Sequence, residues 1–274
     1  MTLIHIVILL GTGVGAGFTS GLLGVGGGFI MTPVQYMLFT NMGMSIDMAM
    51  KVAFGTSLLV ILPTVASGAR RHHKNGAVRW KAAIIMGSCG FIAAFGGATL
   101  ATYLPGAALK IVFGIVVMAS GIWMLISRPL KSEQKVKDNP WLWIAWAIPI
   151  GMVTGLTGLG GGVVAVPVMV LALKFKMHNA IATSLVMIIF TSAGGVVGYI
   201  VNGLGVPDLP AYSIGYVNLP AWFLLAVTSV GTAQVGAMIA HQLPARQLRW
   251  IFIAVMFYVG LRMLGVFDWL GWPV

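Results

Sequence analysis

Apolar residues run along this chain in long, nearly unbroken blocks, interrupted by short stretches rich in Gly, Pro and polar residues. Runs of this length exceed a soluble strand and match helices crossing a bilayer, which need ~20 residues each. The breakers at the block edges predict helices over 3–22, 29–40, 46–69, 78–101 and 107–127, then over 141–157, 163–175, 178–201, 218–241 and 245–264. The expected fold class is all-α, a polytopic transmembrane bundle of about 8–10 helical segments. The segments 29–40 and 163–175 are short for a full span and read as half-helices or re-entrant segments.

The pattern occurs twice. Gly17–Val34 recurs at Gly151–Val168, 134 positions later (151 − 17), with nine of eighteen positions identical. The identities include the triads Gly26-Gly27-Gly28 and Gly160-Gly161-Gly162 and the prolines Pro33 and Pro167. Thr56-Ser57-Leu58 matches Thr183-Ser184-Leu185 at an offset of 127 (183 − 56). Gly97-Ala98, Leu104-Pro105 and Phe113 match Gly236-Ala237, Leu243-Pro244 and Phe252 at an offset of 139 (236 − 97). Three matches in the same order mark an internal duplication. It divides the chain into a first repeat over 1–127, a basic linker over 128–140 and a second repeat over 141–274.

Charge says how the copies are related. Arg70, Arg71, Lys74, Arg79 and Lys81 surround the loop after the third helix, whereas the matching stretch 202–217 has no Lys or Arg. Lys174 and Lys176 precede the eighth helix and Arg246 and Arg249 open the tenth, and both matching loops of the first repeat are uncharged. If basic loops stay in the cytoplasm, the repeats are inverted, each crosses an odd number of times, and both termini lie outside. Lys51 and Lys110 fall on the other side of this scheme, a turn inside their helices, where their stems can snorkel.

Composition excludes other classes. Of 274 residues, 59% are apolar and 8% charged, against roughly 25% charged in soluble domains; mean hydropathy is +0.98. No extramembrane domain of any size fits. The net charge of +11 belongs to basic loops and not to a nucleic-acid surface. Cys89 is the one cysteine, excludes an internal disulfide and reads as packing. No basic n-region precedes the first apolar run, so that helix is expected to be retained. Gly87-Ser88-Cys89-Gly90 has no evident His or Asp to activate a nucleophile, and no ATP-binding motif occurs. The chain is expected to be no enzyme and to carry neither cofactor nor metal.

The candidate chemistry lies in the glycine runs. Gly24, Gly26, Gly27 and Gly28, with Gly158, Gly160, Gly161 and Gly162, break the helix, since each Gly costs about 1 kcal/mol relative to Ala inside one. Broken backbone at membrane depth survives only inside protein or beside a water-filled cavity. The freed N–H groups at the next helix start carry roughly half a positive charge and suit an anion; close packing of helices is the alternative use of such glycines. Ser20, Thr154 and Thr157 flank the breaks. Thr56, Ser57, Thr183 and Ser184 lie mid-helix, where hydroxyls either meet an anion or bond their own backbone. Gln35 and Gln234 are polar residues within apolar helices. Lys51 and His178 occupy matched positions that either recruit an anion or snorkel, while His72 and His73 fall in the basic loop and His241 at a helix end. Asp47, Glu133, Asp138, Asp208 and Asp268 all fall at loops, linker or helix ends, so no carboxylate proton relay can be drawn. No strand precedes either glycine run, which rules out a dinucleotide fingerprint.

At these paired Gly-Leu-x-Gly-x-Gly-Gly-Gly motifs (21–28 and 155–162), their following prolines and the paired Thr-Ser-Leu motifs, the chain resembles the TauE/SafE family of membrane proteins along essentially its whole length. The resemblance implies a transporter of small sulfur-containing anions such as sulfite, sulfoacetate and other sulfonates. The expected protein sits in a bacterial cytoplasmic membrane and works by alternating access around the glycine breaks. Its expected partners are the anion, the lipid bilayer, a coupling proton or ion and further copies of the chain. An anion channel or an uptake permease for a small oxyanion is the alternative.

Overall fold

A computed structural model of the chain describes residues 2–74, 76–126 and 138–266. Glu133, Asp268 and nearly all of the 128–140 linker lie outside these. The first half folds as α1 (Leu3–Leu23), α2 (Gly28–Asn41), α3 (Ile46–Lys74), α4 (Trp80–Tyr103) and α5 (Gly106–Ile126). The second gives α6 (Pro140–Thr157) and α7 (Gly162–Pro167), the latter continuing as one π-helical turn (Val168–Ala172). Then follow α8 (Met177–Gly203), a hairpin of β1 (Ser213–Ile214) and β2 (Val217–Asn218), α9 (Leu219–Ala240) and α10 (Ala245–Met263). Among the described residues seven helices, α1, α3, α4, α5, α6, α8 and α9, are long and apolar enough to cross a membrane.

Helices α3 and α8 form the centre. In their apolar windows 72% and 78% of residues are buried, against 44% or 39% in the other five. They are equivalent in the duplication and run antiparallel. Gly55 lies against Tyr199, Leu58 against Gly195 and Gly68 against Leu185. Around them each half packs on the other. Gly13, Gly17 and Gly21 put α1 on α9, where a Cβ at Gly17 or Gly21 would come within 2.3 or 1.9 Å of the Ser229 or Ala233 carbonyl oxygen. Gly151 and Gly155 put α6 on α4 in the same way, against Gly90 and Ala94. Only hydrogen side chains allow backbones this close, which in lipid supplies packing that hydrophobicity cannot.

The basic loops among the described residues gather at one end of the bundle. There the His72 ring lies against His241, the Arg79 guanidinium lies 4.8 Å from the Phe175 ring, Asn179 donates to the Ala77 carbonyl and Arg249 donates to Met124 O. The last turn of α2 (Met37, Leu38, Asn41) lies beside Ile4 and His5 at the start of α1 and Arg262 near the end of α10, at the opposite end. So α2 doubles back along α1. Phe175, just past the π turn, lies at the basic end beside Arg79, which shares a cleft with Trp143 near the start of α6. So α7 doubles back as well. Both short segments turn back at the glycine breaks, each towards the end of the bundle from which the preceding helix starts.

Two details differ from the sequence expectation. Helix α3 runs on to Lys74, so Arg70, Arg71, His72 and His73 are helical and not in a loop. Within its last turns Gly68 is a packing glycine facing the Gly21 backbone. The stretch 202–217 contains the small hairpin, pairing Ser213 with Asn218 and Ile214 with Val217. Two-residue strands are too short to show an alternating pattern.

Candidate functional site

The two glycine breaks meet at the centre. Gly24, Gly26 and Gly27 take φ of 71°, 85° and 79°, and Gly158, Gly160 and Gly161 take 65°, 78° and 85°. This left-handed backbone is nearly closed to side-chain-bearing residues. α1 ends at Gly24 and α6 at Gly158, each cap N–H bonding back to Ser20 O or Thr154 O. The chain then re-enters helix at Gly28 and Gly162. A Cβ on Gly28 would sit 2.7 Å from Gly158 O, and one on Gly162 would sit 2.4 Å from Gly24 O. Each helix start therefore rests on the carbonyl end of the opposite break. The Ile61 and Ile188 side chains, matched in the duplication, fill the space around Gly26 and Gly160. The N–H groups of Gly28 and Phe29 take no acceptor among the described residues. The Ile61 and Ile188 side chains close the centre in this conformation.

The paired hydroxyls divide into two uses. Thr56 Oγ1 accepts the N–H of Asn218 at 2.9 Å, and Thr183 Oγ1 accepts the N–H of Arg79 at 3.1 Å. Asn218 and Arg79 are themselves equivalent (218 − 79 = 139), and each is the N-cap of the helix it begins, α9 or α4. So each half's threonine holds the helix entry of the other half. Ser184 Oγ donates to Gly24 O and to Ile181 O, both at 2.8 Å, pinning the first break. Ser57 instead accepts from Gln35 Nε2 at 2.8 Å and from Thr32 Oγ1 at 3.1 Å, all three fully buried. The second repeat carries Val166 and Met169 where the first has Thr32 and Gln35 (offset 134). The polar cluster is thus confined to one half, and Gln35 Oε1 is buried without a partner. Thr154 and Thr157 donate to the carbonyls four residues earlier, while Ser20 Oγ is buried and unpartnered.

Lys51 and His178 hold helix ends. Lys51 Nζ donates to Thr102 O at 2.7 Å, and His178 Nε2 lies 3.2 Å from Ala240 O and 3.3 Å from Leu243 O. The Lys51 ammonium there opposes the negative end of the helix dipole. His72 Nε2 reaches Gly21 O at 3.1 Å, and its equivalent Tyr199 donates to Gly155 O at 2.9 Å. These residues tie α3 and α8 to the approaches of the two breaks. Gln234 lies apart from the centre, in a cleft at the basic end.

His241, the C-cap of α9, lies tilted 4.7 Å from the His72 ring and stacks 6.1 Å from His178. Burial, then the charges of His178 and Arg71, depress its pKa below the ordinary 6.5. The unfolded chain therefore binds this proton more readily than the folded one, so the stability is complete above pH 6.5 and declines as the pH falls from there towards the depressed value. The melting temperature of the purified protein is expected to drop on acidification below about pH 6.5, and His241→Gln to flatten that slope; equal slopes in both proteins would contradict it.

Thr32, Ile61, Ile188, Tyr199 and Asn218 are site residues that the motifs did not single out. The signal for Ile61, Ile188 and Tyr199 was available in the 127-residue offset applied to the whole of α3; Thr32 and Asn218 carry no sequence signature.

The sequence pattern that defines the sulfite exporter TauE/SafE family matches residues 9–263. A probable membrane transporter protein of Methanocaldococcus jannaschii is 30% identical over 263 residues, covering 96% of both chains. One from Haemophilus influenzae is 30% identical over 260 residues, covering 94% of this chain and 97% of its own. The probable membrane transporter YunE of Bacillus subtilis is 28% identical over 286 residues, covering 96% and 99%. No solved structure matches the chain. A helical bundle whose two helical hairpins meet at paired glycine breaks, matched to these transporters along nearly its whole length, is a membrane transporter of the sulfite exporter TauE/SafE family.

Proposed function

We propose that the chain is a secondary transporter that exports a small sulfur-containing anion, such as sulfite, sulfoacetate or another sulfonate, by alternating access at the centre of the bundle. The reading is supported by the start of α2 at the first break and by the buried Ser57–Gln35–Thr32 cluster, whose Thr32 and Gln35 lie about one and two turns further along that helix. A helix start with polar side chains around it binds an anion without a buried Lys or Arg. The closed packing of Ile61 and Ile188 corresponds to a state between two openings. With the basic end in the cytoplasm of a bacterial inner membrane, both termini face outside, and a proton or ion gradient drives the cycle.

Vesicles loaded with sulfite and carrying the purified protein are expected to release it with saturable kinetics, and external sulfite to accelerate that release by exchange. Release no faster than from protein-free vesicles would end this reading, and non-saturating release would make the protein a channel. In a panel of sulfite, sulfoacetate, taurine, thiosulfate and sulfate, the transported anion should stabilise the protein by about 2.7 kcal/mol at 100 times its Kd.

A further inference from the structure

The pseudo-twofold relation makes departures from symmetry visible, and the largest lies at the basic end. Between α3 and α9 a cleft of about 260 Å³ is lined by Ser67, Arg70, Arg71 and Gln234. The equivalent positions between α8 and α4 are Gly194, Val197, Gly198 and Phe95 (67, 70 and 71 plus 127; 234 minus 139). There the helices touch. A Cβ on Gly194 would lie 2.1 Å from Phe91 O, and one on Gly198 would lie 2.7 Å from the Ala98 Cβ and 3.1 Å from Phe95 O. On the open side Ser67 Oγ donates to Val230 O at 2.7 Å, and Val230 is the equivalent of Phe91. A serine hydroxyl thus stands where the other half has direct backbone contact, and it props the helices apart. All four lining residues of the open cleft are polar, and all four counterparts are apolar or glycine.

We propose that this cleft binds a small oxyanion of the sulfite, sulfate or phosphate type, present either as a free solute or as a lipid headgroup phosphate. Two adjacent guanidinium forks supply paired donors of the geometry that oxyanions accept, and the Gln234 amide supplies another. The Ser67 hydroxyl is already spent on Val230 and shapes the floor. None of the described carboxylates, Asp47, Asp138 and Asp208, lines the cleft. Its volume lies below the roughly 300–1,000 Å³ of sites for drug-sized ligands and suits an ion with some of its water. Ser67 is seven residues from the end of α3 (74 − 67), so the cleft reaches about 10 Å inward. Its floor adjoins Gly68, which faces the last turn of α1 at Gly21, three residues before the break. As a station on the way to the centre the cleft rests on the transport reading; as a binding site it does not.

The test uses the full chain in an uncharged maltoside detergent. Melting temperature is followed against sulfite or sulfate, with ionic strength held constant by chloride. The concentration giving half the shift is expected to rise about tenfold in Arg70→Gln/Arg71→Gln, the loss of charge-assisted hydrogen bonds, and less in Gln234→Leu, which guards against a folding defect in the double variant. In parallel, wild type and double variant are placed in nanodiscs of phosphatidylcholine with or without phosphatidylglycerol, free of other oxyanions. An arginine-dependent shift with the solutes identifies a free anion, and one with phosphatidylglycerol alone identifies a headgroup. Equal responses of wild type and variants in both arms overturn the proposal. If sulfite release from vesicles is absent while the arginine-dependent shift persists, the cleft stands and the transport reading falls.

Discussion

Gly161→Val is expected to reduce transport to the level of protein-free vesicles. Gly161 holds φ at 85°, and a Cβ there would come within 2.3 Å of Thr154 Oγ1. A β-branched side chain is a severe outlier at such an angle. Left-handed strain of about 1–3 kcal/mol and overpacking of similar size give a cost of about 2–6 kcal/mol, placed within the second break. Insertion follows the hydropathy of the spanning helices, so the variant should still reach the membrane with a lowered melting temperature. Gly15→Ala is the matched control: a Cβ at Gly15 has nothing within 4 Å, and losing a helical glycine gains about 0.5–1 kcal/mol. Vesicle flux and melting temperature, measured together on both variants, check the contrast. Wild-type flux from Gly161→Val would remove the breaks from the transport path.

The second large effect comes from the Ser57 cluster, and the duplication supplies the variant. Ser57→Ala removes the acceptor of both Thr32 and Gln35 and leaves buried donors unsatisfied, at about 1–3 kcal/mol. Adding Thr32→Val and Gln35→Met installs the residues that the second repeat carries at 166 and 169. Replacing all partners of a buried polar group by apolar ones of similar shape is close to neutral. The triple variant is therefore expected to melt near the wild type, while its sulfite flux stays at least tenfold below it, the equivalent of about 1.4 kcal/mol in transition-state stabilisation. Flux restored along with stability would show that the cluster only packs.

These experiments also mark where sequence reading stops. The ten helical segments were legible because apolar run length and Gly or Pro punctuation are local signals, and the predicted edges fall within a few residues of the observed ones except at the end of α3. That end was misplaced because the apolar run stops at residue 69 and the charged stretch 70–74 reads as loop, although it continues the helix for more than a turn. The centre was legible because it is written twice. The separate roles of Thr56, Ser57, Thr183 and Ser184 were not. Ser57 and Ser184 sit in the same tripeptide, yet one meets Gln35 and Thr32 and the other the Gly24 carbonyl. Their partners arrive on α2 and α1, and nothing near the motif encodes that meeting.

The crossed threonine contacts limit what kind of machine this is. Thr56 fixes the entry to α9, Thr183 fixes the entry to α4, α1 rides on α9 and α6 rides on α4. Pulling residues 2–126 away from 138–266 as two blocks would tear all of these at once. The two halves therefore do not move as two rigid blocks. A motion that opens the centre and keeps these contacts has to move bodies assembled from both halves, such as α1 with α9 against α4 with α6. Gene duplication supplied the symmetry of the working parts, but the working parts are not the duplicated genes.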